Sequence, residues 1–454
     1  MEIPEVLTSD ILDEYIMDIS WVTCTLVFFT IALLAVYVIY MSSEHAVFEK
    51  MGIPGPSPAL VVGNFFQEIK LGHVKFQQDV YNKYNKSKVY GVYSCKAPIL
   101  FIRDLDMIRD ITVKHFGNFV NRRLLQMNNP LDHMLTMIKD DHWKNVRTTV
   151  SPTFSTVKLR RMFQHISSSA TTLVEHLRDK QANGEAVELK HVVSCFTMDV
   201  IAGTGFGVVI NSFKVSSNGS SKRHDFLQLL LEAEKEDGTD NDNMSSDEAR
   251  ELKTAAERKP LTHADIQGQA ILFLLAGYDT VSTVFSFTLF LLAQYPECCS
   301  RLQAEIDDIL GNQVPTYDNI QDMPYMDMCL NETMRLYPPG WMLDRVCNDD
   351  INIGGVHIPK GMVVAFPVFS IHRDPAIWRD PMVFDPSRFS PEKKSERHPY
   401  AHLPFGQWVY SASCSVDAQA QPINSIENGP GVARQNDTHA RQTLESDRRP
   451  LETL

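Results

Sequence analysis

The chain has 454 residues, 44% of them hydrophobic, which is enough to bury a large core. Its net charge of -13, with no run of Lys or Arg, excludes a nucleic-acid partner, because phosphate binding needs a concentrated basic face. The 8 cysteines include no C-x-x-C pair, which speaks for free thiols in a reducing compartment and against a disulfide frame or a zinc site.

Trp21 to Met41 is an uncharged run of 21 residues, near the ~20 that cross a bilayer as one helix. Six acidic residues lie ahead of it and the first cation is Lys50, so residues 1–20 are expected in the lumen and residues 42 onward in the cytoplasm. The acidic leading segment favours an uncleaved anchor over a signal peptide. Residues 42–58 carry Pro54, Pro56 and Pro58, which remove donors and fix backbone angles, giving a stiff hinge. A globular body over 59–407 follows. Its pattern predicts an amphipathic helix over 74–84, short strands over 89–93 and 99–102, and helices over 107–114 and 143–150, the last stopped by Ser151-Pro152. Further helices are expected over 157–181 and 189–201, the second broken by the glycines of 203–207.

Residues 214–224 and 232–260 are polar or charged without apolar period and read as loops. The strongest helix signal is 266–293, opened by Thr262 with Asp265 three residues on, a relative of the capping box. It is apolar almost all round, which predicts a buried core helix rather than a second span. A helix over 325–337 ends at Pro338-Pro339, and 351–366 reads as a hairpin through Gly354-Gly355. Residues 408–454 have few apolar residues and no period, and are expected to be disordered.

Three constellations carry chemistry. Asp279-Thr280 sets an acid in the middle of the apolar helix, costly unless hydrogen-bonded or used; the plain alternative is a Thr bonding back to its own helix and an Asp paired elsewhere. Glu332 and Arg335 are three apart on a helix, share a face, and suit a buried ion pair held by a third partner. Trp143 and Arg147 are four apart, so an indole N–H and a guanidinium can donate to one carboxylate.

In order, Trp143-x-x-x-Arg147, Ala276-Gly277-Tyr278-Asp279-Thr280, Glu332-x-x-Arg335, Asp385-Pro386-Ser387-Arg388-Phe389 and Phe405-Gly406 resemble the microsomal cytochrome P450 family. Phrases such as Gly52-Ile53-Pro54-Gly55-Pro56 and His372-Arg373-Asp374-Pro375 look like its branch of family 3 drug and steroid monooxygenases and thromboxane synthase. The resemblance implies a mostly α, α+β fold, anchored by one span in the endoplasmic reticulum membrane. The implied activity is haem-dependent monooxygenation of lipophilic substrates such as steroids, fatty acids or xenobiotics, with electrons from NADPH-cytochrome P450 reductase. It also implies roles: haem contacts by Arg122, Trp143, Arg147, Ala276, Arg345 and Phe405, a proton relay through Asp279 and Thr280, and a bracing triad of Glu332, Arg335 and Arg388. A thromboxane synthase-like endoperoxide isomerase is the alternative within the branch.

Two departures stand out. The family loop Phe-Gly-x-Gly-x-Arg-x-Cys-x-Gly, laid on this chain, puts Trp408 and Tyr410 on a glycine and the arginine, and Ala412 on the cysteine that ligates iron. Cys414 lies two residues too late to stand in. Between Phe213 and His224 a short Ser/Asn/Gly stretch replaces the helices that roof the family's substrate. A fold incomplete at the C-terminus and in the lid, and so a catalytically inactive product, is the alternative of a different class.

Overall fold

The computed structural model describes residues 6–123, 127–208, 210–213 and 260–405, with side chains from Trp21 onward except that of Glu44. The expectations for the linkers at 214–224 and 232–259, for the tail, and for Gly406, Ala412 and Cys414 lie outside these residues. The fold divides into two compact units, one up to Phe101 and one from Ile102.

The first unit opens with helix α1 (Val6–Ser42), longer than the apolar run that nucleates it because the acidic segment ahead continues the helix. Large apolar side chains from Trp21 to Tyr40 stand exposed on it, Leu33 by 70%. Helix α2 (Val47–Lys50) follows after a 3-10 turn and buries Phe48, whose ring meets Tyr93 at 5.0 Å. The proline segment is tied down, since the Gly91 N–H donates to the Pro54 carbonyl at 2.9 Å. Helices α3 (Phe65–Leu71) and α4 (His73–Lys83) precede a hairpin of strands β1 (Val89–Ser94) and β2 (Ala97–Ile102). Phe76, Val80 and Tyr81 turn the apolar face of α4 inward.

The second unit is mostly helical. Helix α5 (Leu105–Arg109) runs into a π turn, Asp110–Lys114, where one helix over 107–114 was expected. Helices α6 (Asp140–Val150), α7 (Thr156–Ala182) and α8 (Leu189–Phe206) follow. The glycines expected to break α8 at 203 do not; Gly203 and Gly205 stay helical, and the end comes at Gly207, which takes the left-handed φ of 63° that terminates helices. Helix α9 (His263–Gln294) begins with the full capping box of Thr262 and Asp265. Its Phe285 packs with Ile166 and Leu173 of α7 and with Phe196 and Val200 of α8, forming one apolar core. Helices α10 (Pro296–Leu310), α11 (Tyr317–Gln321) and α12 (Pro324–Leu336) build a second core around Leu302, Met326 and Leu330.

Strand β3 (Leu343–Val346) pairs antiparallel with β6 (Val363–Phe366), Arg345 facing Val364. Strands β4 (Ile351–Ile353) and β5 (Val356–Ile358) form the hairpin through Gly354-Gly355, whose φ angles of 58° and 84° suit a tight primed turn. The expected hairpin over 351–366 is thus shorter, because Val363 to Phe366 takes its hydrogen bonds from β3 instead. Short helices α13 (Val368–Ile371) and α14 (Pro391–Glu396) complete the described order.

Two helices among the described residues are long and apolar enough to cross a membrane, over Trp21–Ser42 and over His263–Gln294. The second carries the buried polar residues Asp265, Gln269 and Ser282 along with its core contacts, as a helix inside a globular unit does.

Candidate functional site

The segment before Arg122 is fixed by Asn121, a buried residue that sequence reasoning passed over. Its side chain donates to Asp140 Oδ1 at 2.7 Å and accepts from the Asp140 N–H at 3.0 Å, while its carbonyl accepts from the Val346 N–H at 2.8 Å. One residue therefore joins the segment to the start of α6 through its side chain and to the end of β3 through its main chain. Arg122 is thereby set beside Arg345, close enough that the two charges repel. Burial, and then Arg122, hold the Arg345 guanidinium well below its ordinary range; burial lowers Arg122 as well, partly offset by Asp344. Arginine does not give up its proton in proteins, so the lowering at the buried Arg345 expresses the cost of holding two like charges together there. An anion between them removes that cost. On α6, Trp143 and Arg147 are half-buried one turn apart, the indole tilted at 59° against Phe116 with ring centres 6.2 Å apart. This donor set of guanidiniums and an indole N–H suits carboxylates.

The stretch Ala276 to Thr280 differs from expectation. The acid predicted to be buried is 74% exposed at its side chain, and Ala276 and Thr280 are exposed with it. Apolarity all round α9 does not bury all of it, because its core partners α7 and α8 pack on the side of Ser282, Phe285 and Thr288. Thr280 Oγ1 donates back to the Ala276 carbonyl at 2.5 Å, and Asp279 pairs with Lys190 at 3.1 Å. Lys190, from the first turn of α8, also donates to Ser282 Oγ at 2.9 Å and Thr283 Oγ1 at 2.6 Å. No local signal marked it, since its partners lie about ninety positions away.

Glu332, Arg335 and Arg388 come together. Arg335 grips Glu332 with two parallel bonds, Nε to Oε2 at 2.7 Å and a terminal nitrogen to Oε1 at 2.8 Å, and neither side chain is exposed. Arg388 Nε lies 3.3 Å from the same Oε1, to which the Asp385 N–H donates at 3.0 Å. Arg335 further donates to the carbonyls of His372 and Pro381 at 2.8 and 2.7 Å. Burial pushes the Glu332 carboxyl up, and Arg335 and Arg388 offset it. The node gathers residues 372–388 onto α12. Just beyond it, His372 and His402 stack at 5.1 Å, and Phe405, half-buried, ends this described stretch.

The cytochrome P450 family pattern matches residues 53–220 and 209–407. Cytochrome P450 3A11 of Mus musculus is 35% identical over 416 residues, covering 81% of this chain and 82% of its own length. Cytochrome P450 3A7 of Homo sapiens is 34% identical, with 83% and 84% covered, and cytochrome P450 3A12 of Canis lupus familiaris is 35% identical, with 85% and 86% covered.

Proposed function

From the premise that the chain belongs to the cytochrome P450 family, of haem monooxygenases that act on lipophilic substrates, we propose how its own residues serve that activity. The carrying observation is Arg122 set beside the buried Arg345, two like charges whose repulsion an anion would relieve. The haem propionates fit that demand, and Trp143 and Arg147 donate to them from α6. Ala276 and Phe405 would contact the haem in this reading. When bound through a thiolate, haem supplies the activation of dioxygen. Asp279 and Thr280 move protons toward that chemistry from the exposed stripe of α9. For this the Thr280 hydroxyl turns away from the Ala276 carbonyl, and Lys190 holds the Asp279 carboxylate in place. Glu332, Arg335 and Arg388 brace the chain that leads to the haem loop. Steroids, fatty acids and xenobiotics are the substrate class, NADPH-cytochrome P450 reductase the electron donor, and the exposed apolar stretch of α1 the single anchor in the endoplasmic reticulum membrane. The isomerase alternative draws no support from the three relatives above.

A second reading is favoured by one observation in the sequence. Ala412 stands where the axial cysteine belongs, so the residues present fit haem at its propionate edge and not at its iron. In this reading the chain is a monooxygenase by descent that holds haem weakly and does not activate oxygen. The test is the spectrum of the detergent-purified full chain, supplied with haem, reduced and exposed to carbon monoxide. A strongly red-shifted thiolate-type Soret band establishes the first reading, and its absence the second.

A further inference from the structure

Three residues from separate elements, one of them His142 beside Trp143 on α6, converge on one point. His133 ends a 3-10 turn (Leu131–His133), His142 lies in the first turn of α6, and Asp265 in the first turn of α9. His133 Nδ1 is 2.8 Å and His142 Nε2 2.9 Å from the same oxygen, Asp265 Oδ1, and the three atoms lie within 4.8 Å of one another. We propose that His133, His142 and Asp265 bind one divalent metal ion of the zinc class.

The ligand types select the ion. Two imidazoles and a carboxylate suit zinc and its neighbours, whereas calcium and magnesium want oxygen alone and copper(I) wants sulfur. The surroundings prepare the site. Asp265 Oδ2 is engaged by the Thr262 N–H at 2.9 Å and the Thr262 hydroxyl at 2.7 Å, which leaves Oδ1 aimed at the histidines. Such outer bonds orient a ligating carboxylate. Gln269 fixes the backbone carrying His133, donating to the His133 carbonyl at 2.7 Å and accepting from the Leu135 N–H at 3.0 Å. Gly268 allows that approach, since a Cβ there would come within 2.8 Å of the His133 carbonyl carbon.

A carboxylate only accepts, so each ring nitrogen now facing Oδ1 carries a hydrogen. Metal binding moves that hydrogen to the other ring nitrogen and replaces two hydrogen bonds with two coordinate bonds of ~2.0–2.1 Å. The His142 side chain is 44% exposed, which gives the ion a way in and leaves room for water as fourth ligand. Cysteine spacing could not reveal this site, because it uses no cysteine and its ligands are far apart in sequence.

The experiment is a zinc titration of the full chain in detergent against a chromogenic chelator, which needs no haem. One zinc per chain is expected, weakened at least ~10-fold by His133→Gln or His142→Gln and abolished by both, with Thr262→Val costing ~10-fold through the carboxylate it orients. A wild-type chain that takes no zinc from the chelator, or a double variant that binds as wild type, overturns the proposal. Should the variants fail to fold, diethyl pyrocarbonate labelling of wild type decides: zinc protection at His133 and His142 supports the site, and protection confined to other histidines refutes it.

Discussion

The two charged clusters of the second unit are built in opposite ways. Around Glu332 every charge meets its complement: one carboxylate receives Arg335, Arg388 and a backbone N–H, and the spare guanidinium hydrogens go to carbonyls. Around the buried Arg345, Arg122 stands as a like charge that Asp344 offsets in part. A closed cluster of this kind acts as structure, whereas an open one, built around a like-charge pair, is eased by an anionic ligand. The same logic separates the histidines beside the closed cluster, which shed their protons rather than stay charged, from the arginines of the open one, which have no such option.

The comparison predicts a large effect at the closed cluster. Glu332→Leu strands Arg335 without exposure and is expected to cost about 3–5 kcal/mol in urea unfolding, while adding Arg335→Met recovers most of it. A double variant as unstable as the single one breaks the account.

Next in size is a pH effect. Burial, and then Arg397, push His402 down to about 3, and His372 is lowered in the same direction. A histidine whose folded pKa is depressed adds stability above its unfolded value, ~6.5, and loses it as pH falls toward the folded value. Unfolding free energies followed from pH 7 to 4 should fall by roughly 3 kcal/mol more in wild type than in His402→Phe.

At the solvent edge, Lys190→Ala breaks an exposed pair and should cost only about 0.2–1 kcal/mol. Smallest of all is the stability effect at the open cluster. Arg122→Gln relieves repulsion and should leave the unfolding free energy within ~0.5 kcal/mol of wild type, yet lower haem retention on gel filtration about tenfold. Should it destabilise as Glu332→Leu does, the open cluster is open no longer.

Much of the framework was legible in advance. The periods of α4, α7 and α12, the capping box at Thr262, the Pro-Pro stop after α12 and the Gly354-Gly355 turn are local signals, and local sterics fix local structure. The Glu332 and Arg335 pair was legible for the same reason, being one turn apart. Gly203 and Gly205 misled because a glycine ends a helix only when its own φ turns positive, as at Gly207. Asp279 misled because the composition of a helix says how apolar it is and not which neighbours cover which face.

The sequence by itself determined the longer helices other than α10, the first strand pair, the apolar run over 21–41 and the spacing of the candidate residues, since each depends on contacts a few positions apart. Only the tertiary structure decided which charges are balanced and which are not, that Asp279 meets Lys190, that Asn121 sets Arg122 beside Arg345, and that His133 and His142 share one oxygen of Asp265. Those pairings join distant segments, and the free energy of a buried charge depends on what the fold brings to within a few ångströms of it.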